Sequence, residues 1–224
     1  MDNIADMDKY LSAAGASWDP SPAAGEWIAP LLDEFGGSRG HAVPAGYEEY
    51  VVVPIPRGDE LLDYEVLGAL IGQLRASTGD QIVHTALWDG WGWLYDHDDD
   101  PRTAPGAIVF FAGEHSEEDL RQAQEELAET RVALPNVPPL RHPHRNYFLW
   151  SGPLDSAMAL EYNLEIPSMI WPEDRTWFIG APIYTDEIAI GANSSTMKTV
   201  LSSRSLQSFG ARRADRDEFL QIDD

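Results

Sequence analysis

Trp171-Pro172-Glu173-Asp174-Arg175-Thr176-Trp177 is the stretch of this 224-residue sequence that decides the fold. Pro172 presets a turn, and Glu173 or Asp174 can accept hydrogen bonds from the backbone amides within it. Trp177 then begins the next strand, so that an indole packs on either side of the turn. We interpret this segment as the structural signature of the fold.

Arg175 has two alternative roles in this turn. It can form a planar, bidentate bridge to a carboxylate, such as that of Asp89 in a second tryptophan motif. If the pair is buried, removing Arg175 should destabilise the protein by roughly 3–5 kcal/mol, because the loss strands a charge. If the pair is exposed, it is worth under about 1 kcal/mol, and Arg175 is then available to contact a partner.

Around this turn, strand-like and helix-like patterns are interspersed. Apolar and β-branched runs predict strands at 50–55, 81–88, 107–111, 146–150, 176–180 and 183–191. Apolar spacing and capping residues predict helices at 61–77, 116–130, 154–162 and 193–201, the last capped by Asn193.

The sequence contains no linker and no internal repeat. We therefore predict a single globular domain over residues 1–224, of α/β or α+β class, with a mixed sheet of about five to seven strands covered by the helices. Residues 1–40 are expected to form a helical and loop extension, and 205–224 a C-terminal tail or short helix.

The composition limits the partners. Acidic residues outnumber basic ones 38 to 15, which gives a formal net charge of −23. Binding to nucleic acid or to an anionic membrane needs Lys and Arg, so both are disfavoured. General acidity of the proteome explains such a charge most simply, and attraction to a basic protein is the alternative.

Compartment and cofactors are constrained by what the sequence lacks. It has no cysteine, its first residues do not resemble a signal peptide, and no apolar run reaches the length of a membrane span. A cytoplasmic protein without disulfides is expected. We predict no cofactor.

No catalytic motif is present. The sequence has no Gly-x-Ser-x-Gly elbow and no phosphate-binding loop. Asp96, Asp98 and Asp100 begin like an EF-hand, but Pro101 stands where its glycine is required, so no metal site is predicted. His142 and His144 are interpreted as a solvated loop pair.

Two tryptophan motifs are the candidate binding residues. The first is Trp88-Asp89-Gly90-Trp91-Gly92-Trp93, and the second contains Asp174 and Arg175. Indoles bury large areas yet need a partner for their N–H group, so they suit both cores and interfaces. The residues predicted to contact a partner are Trp88, Asp89, Trp91, Trp93, Asp174 and Arg175.

These motifs also carry a resemblance. Together with Tyr147-Phe148-Leu149-Trp150-Ser151-Gly152-Pro153-Leu154, they resemble a family of uncharacterised bacterial proteins, mostly from high-GC genomes. Its members have Trp-Asp-Gly, Gly-Pro-Leu and Trp-Pro-x-Asp-Arg-x-Trp in this order. The resemblance covers about residues 43 to 204, supports a single domain, and implies no known activity.

We expect a non-catalytic, acidic protein that binds a protein partner, as immunity proteins neutralise basic toxins. An accessory or scaffold subunit of a larger bacterial assembly and a carboxylate-based enzyme are the alternatives. A deep cleft with convergent Asp, Glu and His would favour the enzyme. A flat acidic patch around aromatic residues would favour the partner.

Overall fold

The computed structural model describes residues 7–55, 61–91, 94, 134–160, 166–181 and 186–218. Its α-helices are α1 (Met7–Ala13), α2 (Leu61–Thr78), α3 (Ser194–Ser202) and α4 (Arg204–Ser208). Its strands are β1 (Ser17–Trp18), β2 (Glu49–Pro54), β3 (Val83–Trp88), β4 (Leu140–Arg141), β5 (Asn146–Gly152), β6 (Met169–Pro172), β7 (Trp177–Gly180), β8 (Glu187–Ala192) and β9 (Arg212–Arg213). Short 3-10 helices span Pro22–Gly25, Ala29–Leu31, Arg39–His41 and Leu154–Met158.

All nine described strands belong to one sheet. The order is β1-β5-β3-β6-β7-β8-β2-β9, with β4 also paired to β5. Every pairing among the described strands is antiparallel, so the sheet is not a parallel–antiparallel mixture. The predicted fold class is confirmed in its α+β form. The strand number exceeds the predicted range because β1, β4 and β9 have two residues each, too few to show periodicity.

Both faces of the sheet are covered, which explains why its central strands are apolar on both sides. On the face that we call the helical face, Val51, Val83, Trp177, Ile179 and Ile190 pack in one core with α2, α3 and α4. The opposite face, which we call the coil face, carries Val52, Ala86, Met169, Trp171 and Phe178. A further core joins α1 to the end of the sheet formed by β3 and β5.

The helix predictions had mixed outcomes. The helix predicted at 61–77 is α2, and the helix predicted at 193–201 is α3, whose N-cap side chain, Asn193, accepts from the Thr196 amide at 2.9 Å. At 154–162 the chain forms the 3-10 helix Leu154–Met158 instead of an α-helix. The strand predicted at 107–111 and the helix predicted at 116–130 lie outside the described residues.

The N-terminal region is part of the sheet and of its cover. β1 pairs with β5, and the segment 19–48 lies across the coil face, where Ile28 and Val43 are buried. A Cβ atom at Gly180 would lie 2.1 Å from the Ala42 carbonyl oxygen, so glycine lets this segment contact β7 closely. The described part of residues 1–40 consists of α1, β1, short 3-10 helices and loops, and it packs on the sheet. The single-domain organisation of the whole chain stays a prediction.

Two buried arginines, Arg39 and Arg216, link the segment 19–48 to the C-terminal region. Arg216 donates to the carbonyl oxygens of Leu31, Gly40 and Val43 at 2.9–3.1 Å and contacts Asp33 at 2.8 Å. Arg39 binds both Glu187, at 2.5 Å, and Glu218. In the range 205–224, expected as a tail or short helix, the described part contains most of α4, then β9, and then Asp215 and Glu218, which contact Arg39.

None of the described helices combines the length and the apolar character that crossing a membrane requires.

Candidate functional site

A cavity of about 240 Å³ opens on the coil face. It lies between the N-terminal segment, the β4–β5 hairpin and the beginning of β6. We call it the histidine cavity. Its walls include apolar side chains, among them Leu32, Phe35 and Met169. Its polar and charged lining residues are Asp33, Glu34, His41, His142, His144, Arg145, Tyr147 and Ser168.

The β4–β5 hairpin supplies the basic side of the cavity. The His142 amide donates to the Arg145 carbonyl at 2.9 Å and closes a tight turn that contains Pro143. This turn directs His142, His144 and Arg145 to one side of the hairpin, against Phe35 of the N-terminal segment. The cavity is thus built from segments that are more than a hundred residues apart in the chain.

Of the two histidines in this turn, His142 is the more buried. Burial lowers its pKa to about 4, so the ring is neutral at physiological pH. Its Nε2 atom is buried and has no hydrogen-bond partner. The ring packs edge-on against Tyr147, with centroids 5.3 Å apart. His142 therefore offers a neutral, unsatisfied nitrogen at the cavity wall.

Ser168 is a second unsatisfied group at the wall. The residue is 6% exposed, and its Oγ has no hydrogen-bond partner among the residues that the structure describes. Its backbone is fully engaged, because its amide donates to Ala86 at 2.9 Å and its carbonyl accepts from Ala181 at 2.8 Å. A buried hydroxyl without a partner costs about 1–3 kcal/mol. The side chain thus lowers the stability of the empty protein.

His41 lies on the opposite wall. Its Nδ1 lies 2.5 Å from the Ser38 carbonyl oxygen, which can only accept, so Nδ1 carries the proton. Burial lowers the pKa of His41, and the positive charge of Arg145 lowers it further against the opposing effect of the Ser38 contact. The ring is therefore neutral at physiological pH, with Nε2 as an acceptor.

Arg145 lies between two aromatic rings. Its guanidinium carbon is 4.3 Å from the Phe35 ring centroid and 5.4 Å from that of Trp88. Within the described part of the chain, no carboxylate oxygen lies within 4 Å of its guanidinium. Stacking thus holds this cation in place without neutralising it.

Asp33 and Glu34 are the acidic residues of the cavity, and among the described residues Asp33, unlike Arg145, has an oppositely charged partner. Asp33 accepts from Ser38 Oγ at 2.7 Å and contacts Arg216 at 2.8 Å. Burial alone would raise the pKa of Asp33, but the hydrogen bonds from Ser38 and Arg216 outweigh it and lower the pKa. Asp33 is therefore ionised and engaged, and both Asp33 and Glu34 are exposed to solvent.

The first tryptophan motif does not line this cavity, but it adjoins the lining residue Arg145. Trp88 and Trp91 are half-buried and pack edge to face with centroids 5.3 Å apart. Asp89 accepts from Asn146 Nδ2 at 3.1 Å, next to Arg145. These three predicted site residues lie together, and Trp88 contacts the cavity residue Arg145. Trp93 lies outside the described residues.

The second tryptophan motif lies elsewhere. Asp174 accepts from the Thr176 amide at 3.0 Å, which confirms the predicted turn. Val83 of β3 pairs with Pro172, so this turn is at the beginning of β3, whereas Asp89 follows its end. A bridge between Arg175 and Asp89 was therefore the wrong expectation. The Arg175 guanidinium instead lies 4.7 Å from the Trp27 ring centroid.

The indoles of this second motif are core residues. Trp171 and Trp177 are 1% and 0% exposed, on the coil and helical faces respectively. Trp177 Nε1 donates to Thr78 Oγ1 at 3.0 Å. Their role is structural. The exposed residues of this motif are Glu173, which contacts His84, and the two predicted site residues Asp174 and Arg175.

A second polar cluster on the coil face contains His84, Ser151, Asp19 and Glu173. His84 Nδ1 is 2.6 Å from Ser151 Oγ, and its Nε2 is 2.7 Å from Glu173. Ser151 donates its own proton to Asp19 at 2.8 Å, so His84 does not receive it. Burial opposes charging of His84, but the carboxylates of Asp19, 3.6 Å from Nδ1, and of Glu173 outweigh it and raise the pKa of His84. The His84 ring is therefore better suited to hold these carboxylates as a positively charged partner than to act as a catalytic base.

The sequence interpretation missed the cavity. His142 is half-buried rather than solvated, and only His144 of the pair is exposed. The available signal was the basic run Arg141-His142-Pro143-His144-Arg145 in a strongly acidic chain. Its partners Phe35 and Ser168 could not be inferred, because only the folded sheet brings them together.

The sequence matches no model of a known protein family, no curated protein and no solved structure. The resemblance carried by the tryptophan motifs therefore stays a prediction. Within the described ranges, no group of three or more His, Asp or Glu side chains has an arrangement that could hold a metal ion.

Proposed function

We propose that this protein binds a small ligand in the histidine cavity without transforming it. The observation that carries this proposal is the cavity of about 240 Å³, whose walls combine apolar side chains with a few polar groups. Ser168 is one of its lining residues, and its buried hydroxyl has no hydrogen-bond partner among the described residues. Buried polar groups are nearly always satisfied, and an exception needs an explanation. A bound ligand supplies one, because it offers a partner from the cavity side.

The size of the cavity supports a small ligand. Its volume of about 240 Å³ lies just below the range of drug-sized sites, which is roughly 300–1,000 Å³. Apolar walls with a few convergent polar groups are typical of such sites.

The cavity contains the Asp, Glu and His side chains that would favour an enzyme. Asp33, however, is engaged by Arg216, and His142 is neutral, which favours binding over acid–base work.

Filling the cavity tests this function. Ala29 lines the cavity, and Ala29→Leu adds volume to it, whereas Ala13→Leu adds the same side chain on the exposed side of α1. Small metabolites are screened by thermal shift and ligand-detected NMR. We expect compounds that bind the parent and Ala13→Leu but not Ala29→Leu. A ligand that binds Ala29→Leu as tightly as the parent would contradict the proposed site.

Ser168→Ala provides an independent test. We expect the ligand-free variant to be more stable than the parent by about 1 kcal/mol, because an unpaired buried hydroxyl is removed. The same variant should bind the ligand more weakly. Ser156→Ala is the matched control, since Ser156 is also buried with an unpaired hydroxyl but does not line the cavity. Equal ligand affinity in parent and Ser168→Ala would remove the observation that supports the proposal.

A second candidate is a protein partner, including a basic one that the protein would neutralise or join in an assembly. The aromatic rim of the cavity favours it: Phe35 is 49% exposed and continues through Arg145 to Trp88 and Trp91. Aromatic and arginine side chains are enriched where partners bind most tightly. The net charge of −23 would speed the encounter with a basic protein.

Two matched substitutions separate the candidate surfaces. Phe35→Ser alters the rim, and Ile82→Ser removes another exposed apolar side chain beside the Asp174–Arg175 turn. We expect a partner captured by the parent to be lost with Phe35→Ser and retained with Ile82→Ser. The opposite result would assign the partner to the second turn.

A further inference from the structure

We propose that the ligand of the histidine cavity carries a carboxylate group, which binds to the guanidinium of Arg145. The inference rests on the proposed function and gives the chemical class of the ligand, a monocarboxylate with an apolar body. It comes from the charges and contacts around the cavity, which differ from those elsewhere in the described part of the chain.

Arg145 differs in its contacts from the other described arginines that are buried or half-buried. Among the described arginines only Arg39, Arg145 and Arg216 are not exposed. Arg39 contacts Glu187, and Arg216 contacts Asp33. Acidic residues outnumber basic ones 38 to 15, so a carboxylate partner for Arg145 is easily supplied by the sequence. The structure nevertheless leaves this guanidinium without one among the described residues. The cavity thus holds a fixed positive charge for an external anion.

The surroundings of Arg145 prepare it for a planar oxyanion. Phe35 and Trp88 lie 4.3 and 5.4 Å from its guanidinium carbon. Contact with these rings restrains the side chain, so little conformational entropy is lost when a ligand binds. A guanidinium has five N–H donors in one plane and matches a carboxylate with two parallel hydrogen bonds.

The remaining polar groups favour a single negative charge. His41 and His142 are neutral at physiological pH, because burial lowers the pKa of each. Asp33 and Glu34 also line the cavity and would repel a second negative charge. A phosphate, which carries more charge, is therefore disfavoured. The apolar walls contributed by Leu32 and Met169 suit a hydrocarbon or aromatic body.

The test compares acids with amides of the same shape. The probes are benzoate, phenylacetate and 3-methylbutanoate, each paired with its primary amide, at neutral pH. Binding is measured from chemical-shift changes in ¹H–¹⁵N spectra of the full chain. We expect the acids to bind at least about tenfold more tightly than the amides, as a charge-assisted pair of hydrogen bonds provides.

The arginine variants show which group is responsible. Arg145→Met keeps the stem that packs on the rings and should make acid and amide bind equally. Arg145→Lys keeps the charge without the planar donors and should retain part of the preference. Arg75→Met is the matched control, because Arg75 is an exposed arginine on α2 that pairs with Asp155. It should bind the acids as the parent does.

The outcomes distinguish this inference from the proposed function. If amides bind as tightly as acids and Ala29→Leu blocks both, the carboxylate inference fails and the ligand site stands. If the acids retain their preference in Arg145→Met, the role of Arg145 is overturned. If no acid shifts the cavity resonances at millimolar concentration while other compounds bind there, the ligand class is overturned. Thermal midpoints of all variants check that they are folded.

Discussion

At the scale of single residues, the environment decides what an arginine does in this protein. Arg216 is buried and holds three carbonyl groups and Asp33 together. Arg145 is half-buried and contacts aromatic rings. Arg175 is exposed, with a backbone φ of 57°, in a turn where it lies over Trp27. The sequence alone left open which of these roles Arg175 has.

Arg175→Ala should lower the free energy of unfolding by less than about 1 kcal/mol, because an exposed cation–π contact is worth about that much. Arg216→Ala should lower it by roughly 3–5 kcal/mol, since it leaves three buried or partly buried carbonyl groups without their donor. Urea unfolding of both variants measures the difference. A large loss for Arg175→Ala would restore a structural role to that side chain and remove the turn from the candidate binding surfaces.

At the scale of elements, sequence patterns predicted what is regular and locally determined. α2 and α3 were predictable from apolar spacing and from the Asn193 cap, and β3, β5 and β8 from β-branched and apolar runs. β1, β4 and β9 were not, because two residues carry no periodicity. Their pairing depends on strands from distant parts of the chain.

The candidate site was predictable only in part, for the same reason. Trp88, Asp89 and Trp91 were recognisable as a motif, and Trp88 contacts the cavity residue Arg145. Arg145 was not, since its significance depends on stacking against Phe35, 110 positions earlier in the sequence. The unpaired hydroxyl of Ser168 follows from packing and leaves no trace in the residue order.

The His84 cluster joins four strands and should make their stability depend on pH. His84 is on β3 and Ser151 on β5, while Asp19 and Glu173 follow β1 and β6. The pKa of His84 is raised in the folded protein, because the nearby carboxylates of Asp19 and Glu173 outweigh burial. Its contribution is thus complete below the unfolded pKa of about 6.5 and is lost as pH rises through the folded pKa.

His84→Gln measures that contribution, because glutamine keeps hydrogen-bonding groups but never ionises. Below about pH 6 we expect the variant to be less stable than the parent by roughly 1–3 kcal/mol, with the gap narrowing in alkaline solution. Comparing the two proteins at each pH cancels the titration of the other acids. A gap that is constant or grows with rising pH would show that His84 is neutral in the folded protein.

At the scale of the whole molecule, negative charge is the dominant property. The net charge is −23. Ion pairs such as those of Arg39 and Arg216 hold neighbouring segments together, but they leave the excess of negative charge unchanged. Self-repulsion in such a molecule opposes compaction. The long-range negative field opposes the approach of anions, so the Arg145 cation at the cavity attracts them only at close range.

Moderate salt should accordingly stabilise this protein. Raising NaCl from about 0.02 M to about 0.5 M shortens the Debye length from roughly 20 Å to roughly 4 Å, which screens long-range repulsion while leaving buried pairs such as Arg39–Glu187 largely intact. We expect the urea midpoint to rise, with a gain on the order of 1 kcal/mol in the free energy of unfolding. Glycerol at equal osmolality is the control for solute exclusion. A midpoint that falls with salt would mean that exposed ion pairs such as Arg75–Asp155 contribute more than repulsion costs, and the excess of acidic residues would then carry little energetic weight.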